Sequence, residues 1–174
     1  MKISVTGVLL FVVSLANAES NSVGTEVNAD VAFEILKDGL VGEWTGKIVH
    51  SSEPVEATFY LTGNDSAVVE YIRRPQKPAA SMSTVYHLAD EHLQLTHYCS
   101  LQNQPRLRAV SVSPDGKTIN FGLLDVSNLS RSGNRYTHKM RISFPAPDRA
   151  SVTYVGLFDD VETGELTVEL SRAE

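Results

Sequence analysis

Residues Arg135–Phe144 read RYTHKMRISF, and this stretch decides the fold class because its polar and apolar side chains alternate. One set of alternate positions is largely apolar and aromatic: Tyr136, His138, Met140, Ile142 and Phe144. Successive side chains of a β-strand point to opposite faces, so the pattern predicts a strand with one face in the interior. We therefore expect Tyr136 and His138 to point inward.

The same alternation recurs along the chain from Trp44 onward and predicts about ten strands. The predicted strands are Glu43–His50, Val55–Thr62, Ala67–Arg73, Met82–Leu88, His92–Cys99, Arg106–Val112, Thr118–Leu124, Arg135–Phe144, Ser151–Leu157 and Glu165–Arg172. Short turn sequences such as Pro114-Asp115-Gly116 separate them. A meander of this length avoids exposed edges by closing on itself, so the sequence predicts an all-β, antiparallel up-and-down barrel.

A short helix is predicted before the first strand. Asp30 is a suitable N-cap for a helix that runs to about Lys37, and Gly39 is a suitable residue to end it. Val31, Ile35 and Phe33 are the side chains expected to pack inward.

The N-terminal residues have the three parts of a signal peptide. Lys2 supplies a positive charge, residues 3–15 are uncharged, and Ala16-Asn17-Ala18 provides small residues before a cleavage site. The apolar run is shorter than the ~20 residues of a membrane span. We predict a signal peptide at 1–18, a leader at 19–29 and a lipocalin-like barrel domain at 30–174. The mature protein would be periplasmic or secreted, without a membrane span.

Composition argues against several classes of function. The formal net charge is −6 and no basic run occurs, which disfavours nucleic acid as a partner. Cys99 is the sole cysteine, so no internal disulfide can form. No Cys-x-x-Cys or His-x-His pattern points to a structural zinc site, and no metal is predicted.

Several polar residues fall in the inward phase of their predicted strands. They are Tyr86, His97, Cys99, Asp125, Tyr136 and His138. An unpaired buried polar group costs about 1–3 kcal/mol, so such residues either bond to one another or face a ligand. The sequence leaves both alternatives open. Apolar lining is expected from Phe59, Phe121, Met140 and Phe144.

Arg106 and Arg108 share one face of their strand. Facing inward they would bind a carboxylate or phosphate, whereas facing outward they would be solvated. The apolar phase of Leu107 and Ala109 favours the outward orientation. Asp125 is a possible structural partner for one of these arginines.

Gly42-Glu43-Trp44, after a short helix and at the start of the first strand, resembles the Gly-x-Trp signature of lipocalins and related calycin barrels. The resemblance implies that Trp44 closes the floor of the barrel. It also implies that a basic residue of the last strand, here Arg172, stacks on the indole. The other lipocalin motifs are not recognisable in this sequence.

A second resemblance rests on Leu95-Thr96-His97-Tyr98-Cys99 and on Asn103-Gln104-Pro105-Arg106, and extends to Asp125-x-Ser127-Asn128-Leu129 and to His138-x-Met140. It covers most of the mature chain and looks like a family of exported, mostly bacterial proteins. That resemblance implies the fold and the export but no chemistry.

These observations favour a protein that binds a small hydrophobic or amphipathic molecule inside the barrel over an enzyme. Ligand contacts are expected from Tyr86, His97, Cys99, Arg106, Asp125, Tyr136 and His138. One alternative is a haem-binding barrel with His138 as the iron ligand, and another is an enzyme that uses His97 and His138 as acid or base. A Cys99 nucleophile is disfavoured because residues two apart on a strand lie about 6–7 Å apart. A structural accessory protein with a filled barrel is the remaining alternative.

Overall fold

Ten antiparallel strands form a closed barrel in the computed structural model, which describes residues 27–173. The strands are β1 (Gly42–Ile48), β2 (Pro54–Thr62), β3 (Ala67–Arg73), β4 (Met82–Ala89), β5 (His92–Tyr98), β6 (Gln104–Val112), β7 (Thr118–Ser127), β8 (Arg135–Ala146), β9 (Arg149–Phe158) and β10 (Val161–Arg172). Each strand pairs with its neighbours in sequence, and β10 pairs with β1 to close the ring. The predicted barrel is confirmed.

The predicted signal peptide, residues 1–18, and most of the predicted leader lie outside the described residues. Within residues 27–173, no helix combines the length and the apolar character that a membrane crossing requires. Two short 3-10 helices, Pro78–Ala80 and Leu129–Ser132, interrupt the connections before β4 and β8.

Among the described residues, one α-helix, α1 (Ala29–Leu40), precedes the barrel, as predicted, but its start and its inward face differ from the expectation. Asn28, not Asp30, is the N-cap, because its side chain accepts a hydrogen bond from the Val31 backbone N–H at 3.0 Å. Val31 is 55% exposed, so its predicted inward orientation is wrong. The helix buries Ala29, Ala32, Phe33, Leu36 and Leu40 instead.

Gly39 does not end the helix, which continues to Leu40. Its role is close packing. A methyl group built on Gly39 would lie 2.4 Å from Cε1 of Phe144, so only glycine lets this aromatic ring approach the last turn of α1.

The seam between β1 and β10 carries the contact that the Gly-x-Trp resemblance implied. The Arg172 guanidinium lies 4.5 Å from the centre of the Trp44 ring system, and the indole N–H donates to the Leu40 carbonyl at 2.7 Å. Arg172 also donates to the carbonyls of Val41 at 2.9 Å and Gly39 at 3.2 Å. Gly42 has φ +135°, and a side chain there would meet the guanidinium.

Because the strands run up and down from α1, the two ends of the barrel differ. The closed end carries α1, the β2–β3, β4–β5, β6–β7 and β8–β9 turns and the end of β10. The open end carries the β1–β2, β3–β4, β5–β6, β7–β8 and β9–β10 connections. Fully buried side chains such as Phe59, Phe121 and Leu95 fill the middle of the barrel.

A β-bulge in β8 overturns the prediction that Tyr136 and His138 point inward. Thr137 pairs with Gly156 and Lys139 with Val155, so His138 is an extra residue without a partner on β9. A bulge reverses the alternation on one side of it. Thr137 is therefore the buried residue, while His138 faces the outside with Lys139, its Nε2 3.2 Å from Oε1 of Glu162.

A second bulge overturns the prediction for Asp125. Arg106 pairs with Asp125 but Leu107 pairs with Leu123, so Leu124 is the extra residue on β7. Asp125 consequently faces solvent, where its carboxylate accepts two hydrogen bonds from the Arg106 guanidinium, one of them at 2.7 Å. Arg106 and Arg108 both face outward, which decides between the two orientations that the sequence left open. The Arg106–Asp125 ion pair is a surface contact, so the expectation that Arg106 contacts a ligand inside the barrel is wrong.

We expect Arg172→Ala to lower the free energy of unfolding by about 1–3 kcal/mol, because it removes the stacking on Trp44 and several charge-assisted hydrogen bonds to the end of α1. Urea unfolding followed by Trp44 fluorescence measures the change. Arg149→Ala is the matched control, since Arg149 is an exposed arginine on the adjacent strand whose hydrogen bond is to Ser171. Equal urea midpoints for the two variants would refute the role assigned to Arg172.

Candidate ligand-binding site

Four inward-facing residues form a row across four adjacent strands. Phe59 pairs with Glu70, Glu70 with Thr84, and Thr84 with His97. Directly opposed residues of neighbouring strands have Cβ atoms about 4.5–5.5 Å apart, so polar side chains in such a row can bond to one another. The last three members of this row are polar, and all three are fully buried.

Glu70 is the centre of the polar interior. The Tyr86 hydroxyl donates to its Oε2, and the Tyr154 hydroxyl donates to its Oε1 at 2.9 Å. Tyr154 lies on β9, across the lumen from β3, so this hydrogen bond spans the barrel. Within residues 27–173, no lysine or arginine forms an ion pair with Glu70.

Glu70, Tyr86, Tyr154, Thr84 and His97 form a buried polar cluster, and burial is the main cause of the shifted pKa values within it. Burial raises the pKa of Glu70, while hydrogen bonds from Tyr86, Tyr154 and Thr84 oppose that rise because they stabilise the charged form. The pKa values of both tyrosine hydroxyls lie well above the usual range, first because of burial and then because of the neighbouring Glu70. Both tyrosines are therefore neutral hydrogen-bond donors at physiological pH.

His97 has one partnered and one unpartnered ring nitrogen. Its Nδ1 lies 2.9 Å from the Thr84 hydroxyl oxygen, and its Nε2 is buried without a hydrogen-bond partner among the described residues. The ring is tilted against Tyr154, with centroids 5.1 Å apart. Burial lowers the pKa of His97 to about 4, so the imidazole is neutral at pH 7.

His97 and Tyr154 line a cavity of about 340 Å³ at the open end of the barrel. The remaining lining residues are Met82, Cys99, Ser100, Leu101, Thr137, Gly156, Thr163, Gly164, Glu165 and Leu166. Ligand pockets in proteins run from about 300 to 1,000 Å³, so this one suits a small molecule. A larger groove, of about 740 Å³, lies on the outer surface near Lys47 and Glu169. Its walls lack a buried polar group comparable with His97.

The wall formed by Cys99–Leu101 is held in place by its own loop. The Cys99 N–H donates to the Asn103 carbonyl at 3.1 Å, and the buried Asn103 side chain donates to the Arg135 carbonyl at 2.6 Å. Burial raises the pKa of the Cys99 thiol, which keeps it protonated. No hydrogen bond joins Cys99 to His97 in the described part of the chain, so the thiol is lining and not an activated nucleophile.

The predicted contact residues thus separate into two groups. His97 and Cys99 line the cavity, and Tyr86 is buried in the core, where its hydroxyl bonds to Glu70. Arg106, Asp125, Tyr136 and His138 do not line the cavity. His97 and His138 therefore do not form an acid–base pair inside the barrel, and His138 is not placed to bind a haem iron there. Phe59, Phe121 and Met140 fill the core and do not line the cavity, and Phe144 packs on α1.

Glu70 and Tyr154 belong to the polar cluster but were not among the site residues predicted from the sequence. Glu70 lies between Val68 and Ile72 in the same alternating phase, and both of those neighbours are fully buried. Tyr154 follows the buried Val152 in the same way. The alternation therefore contained the signal for both, although the hydrogen bond across the barrel has no local signature.

The fold and the cavity define a closed ten-stranded barrel with a polar interior cluster and an opening at one end. Comparison with known protein families and with curated proteins finds no match for this sequence. Among the described residues, no group of three or more His, Cys, Asp or Glu side chains could hold a metal ion.

We expect Tyr154→Phe to lower the free energy of unfolding by about 1–3 kcal/mol, because Oε1 of the buried Glu70 loses its donor. Tyr71→Phe is the control, since Tyr71 is 42% exposed on the outer face of the strand that carries Glu70. Chemical denaturation at pH 7 measures both changes. If the two variants lose the same stability, the cluster does not hold the barrel together.

His97 should make the barrel less stable in acid. Its pKa is about 4 in the folded protein against 6.5 ordinarily, so the unfolded chain takes up a proton at a higher pH than the folded protein does. The free energy of unfolding should therefore fall by up to about 3 kcal/mol as the pH drops from 6.5 to 4, at 1.36 kcal/mol per pKa unit.

Glu70 acts in the opposite direction because its pKa is raised, so the measurement compares the wild type with His97→Gln. Urea unfolding at several pH values should show a shallower acid loss in the variant. If stability falls with pH equally in the wild type and in His97→Gln, His97 is not the cause of the acid loss.

Proposed function

We propose that this protein is an exported barrel that binds a small hydrophobic or amphipathic molecule in the cavity at its open end. The observation that carries the proposal is the unpartnered Nε2 of His97 in a fully buried side chain that lines this cavity. Buried polar atoms in proteins almost always have a partner, so an orphaned one beside a cavity indicates a place for a ligand group or water.

The rest of the cavity suits an apolar body. Met82, Leu101 and Leu166 contribute hydrophobic side chains, and Gly156 and Gly164 leave room where side chains would otherwise project. Apolar pockets with a small number of fixed polar groups are the usual form of small-molecule sites. The packed core below the cavity confines the ligand to the open end.

Export is supported by the tripartite pattern of residues 1–18, and a lipocalin-like role by the Trp44–Arg172 contact at the closed end. Cleavage after Ala18 would deliver the barrel to the periplasm or the exterior, where a carrier of small molecules is useful. A fold alone does not define a function, so the ligand site carries the argument.

The alternative is a structural accessory protein whose barrel is filled by its own side chains. The dense core of Phe59, Tyr86, Leu95 and Phe121 favours it, because these residues occupy the lumen that a large ligand would need. Such a protein would bind its partners on the outside, and the cavity at the open end would hold only water.

Native mass spectrometry of the wild type, purified from an exporting host, separates the two functions. For a carrier we expect the mass of Glu19–Glu174 plus a reproducible added mass that denaturation releases. His97→Leu should lose the added mass because the polar anchor is gone. His138→Ala should keep it because His138 lies outside the barrel. An apo mass for all three proteins would favour the structural barrel.

A further inference from the structure

The outer face of β2–β5 carries no charged side chain at its centre. Three rows of outward-facing residues cross these four strands, and they alternate with buried residues such as Phe59 and Val68. The rows are Thr58–Tyr71–Ser83–Tyr98, Tyr60–Val69–Val85–Thr96 and Thr62–Ala67–His87–Gln94. None of these twelve residues, which we call the neutral face, is Asp, Glu, Lys or Arg.

Charged residues lie at the margins of the neutral face. Arg73 donates to Glu56 at 3.0 Å beside the first row, and on β6 Arg106 donates to Asp125 at 2.7 Å. Arg108, also on β6, stands opposite Gln94. Charged partners are recognised through complementary charge, which the centre of this face does not offer, so the face favours an uncharged partner.

The neutral face holds the exposed aromatic side chains of residues 27–173. Tyr60, Tyr71 and Tyr98 are 49%, 42% and 51% exposed. Tyr71 and Tyr98 stand on either side of Ser83, two strand spacings or about 10 Å apart. Tyr60 is the diagonal neighbour of Tyr71, at about 7–8 Å. Exposed hydrophobic side chains grouped on one face indicate a binding surface.

The size of the neutral face favours a narrow ligand over a second copy of the chain. Strands lie about 4.8 Å apart and rise about 3.4 Å per residue, so the face measures roughly 20 by 17 Å in projection. That area is less than half of the roughly 800 Å² that each partner of a stable dimer buries. A chain-like molecule needs only a strip of this size.

We propose that the neutral face binds an extended chain of neutral sugars whose pyranose rings stack on the tyrosines. A pyranose ring with equatorial substituents presents C–H groups on both faces, and these pack against the electron-rich face of an aromatic ring. Ser83, Gln94 and Thr96 lie among the rings and carry groups that hydrogen-bond to sugar hydroxyls. The inference goes beyond the proposed function, because it involves neither the cavity nor His97.

NMR titration of the exported protein with cellohexaose, chitohexaose and maltohexaose tests the proposal. The first two are extended chains, whereas maltohexaose, an isomer of cellohexaose, is coiled. We expect an extended chain to shift backbone signals of β2–β5 and to bind more tightly than maltohexaose. Tyr71→Ala and Tyr98→Ala should each weaken binding about tenfold or more, because tyrosines are often dominant contacts.

Two control variants separate stacking from general effects of substitution. Tyr71→Phe keeps the aromatic ring and should retain most of the affinity. Tyr136→Ala removes a partly exposed tyrosine from β8, which lies opposite β3 in the ring of strands, and should bind as the wild type does.

The proposal is wrong if neither extended chain binds, or if Tyr71→Ala and Tyr98→Ala leave the affinity unchanged. Equal affinity for maltohexaose would contradict the extended shape of the ligand. Sedimentation velocity provides a further check: a dimer that Tyr71→Ala dissociates would assign the face to a second copy instead of a sugar. The ligand in the cavity is tested separately by the native mass of His97→Leu, which leaves the neutral face intact.

Discussion

The guanidinium of Arg172 lies between the indole of Trp44 and the carbonyls at the end of α1, and most of the architecture depends on this contact. It lies on the β1–β10 seam, where the first and last strands must meet for the barrel to close. Closure removes the two free sheet edges, and the same arginine attaches the helix that covers one end. The barrel consequently has one closed end and one end at which a cavity can form.

Burying the polar cluster inside the barrel has an unfavourable free energy that hydrogen bonds must offset. A fully buried carboxylate without a cation is unfavourable unless hydrogen bonds stabilise it, and here tyrosine hydroxyls from two sides of the barrel do so. Tyr154 is important in two ways, because it bonds to Glu70 and also lines the cavity. Stability and the shape of the candidate site are therefore coupled through one side chain, and the stability tests and the ligand tests concern the same cluster.

Alternation of apolar and polar residues along the strands was sufficient to predict the barrel. Consecutive strands joined by short turns form an antiparallel meander, and closing the meander is one of the few ways to avoid exposed edges. The alternation also placed Tyr86 and His97 correctly inside. It failed for His138 and Asp125 because each lies beyond a bulge, where one extra residue reverses the phase. Nothing in the local residue types of either stretch marks the bulge, since it is decided by pairing with the neighbouring strand.

Glu70 shows a different limit. The alternation of Val68, Glu70 and Ile72 indicates that Glu70 points inward. A buried glutamate is stable only with hydrogen-bond donors, however, and one of its donors, Tyr154, is 84 residues away in sequence. The row from Glu70 through Thr84 to His97 likewise depends on the register of three strands. Pairing between distant strands is the information that a single sequence, read locally, does not supply.

The position of α1 has a practical consequence for how the molecule can be held. Val27 lies beside the β4–β5 turn, and the Ala173 N–H donates to the Glu43 carbonyl at 2.9 Å, so both lie at the closed end. A surface, a fused domain or a resin attached through either of these positions leaves the opposite opening directed away from the support. An immobilised layer of this protein would therefore present its cavities to the solution in a uniform orientation.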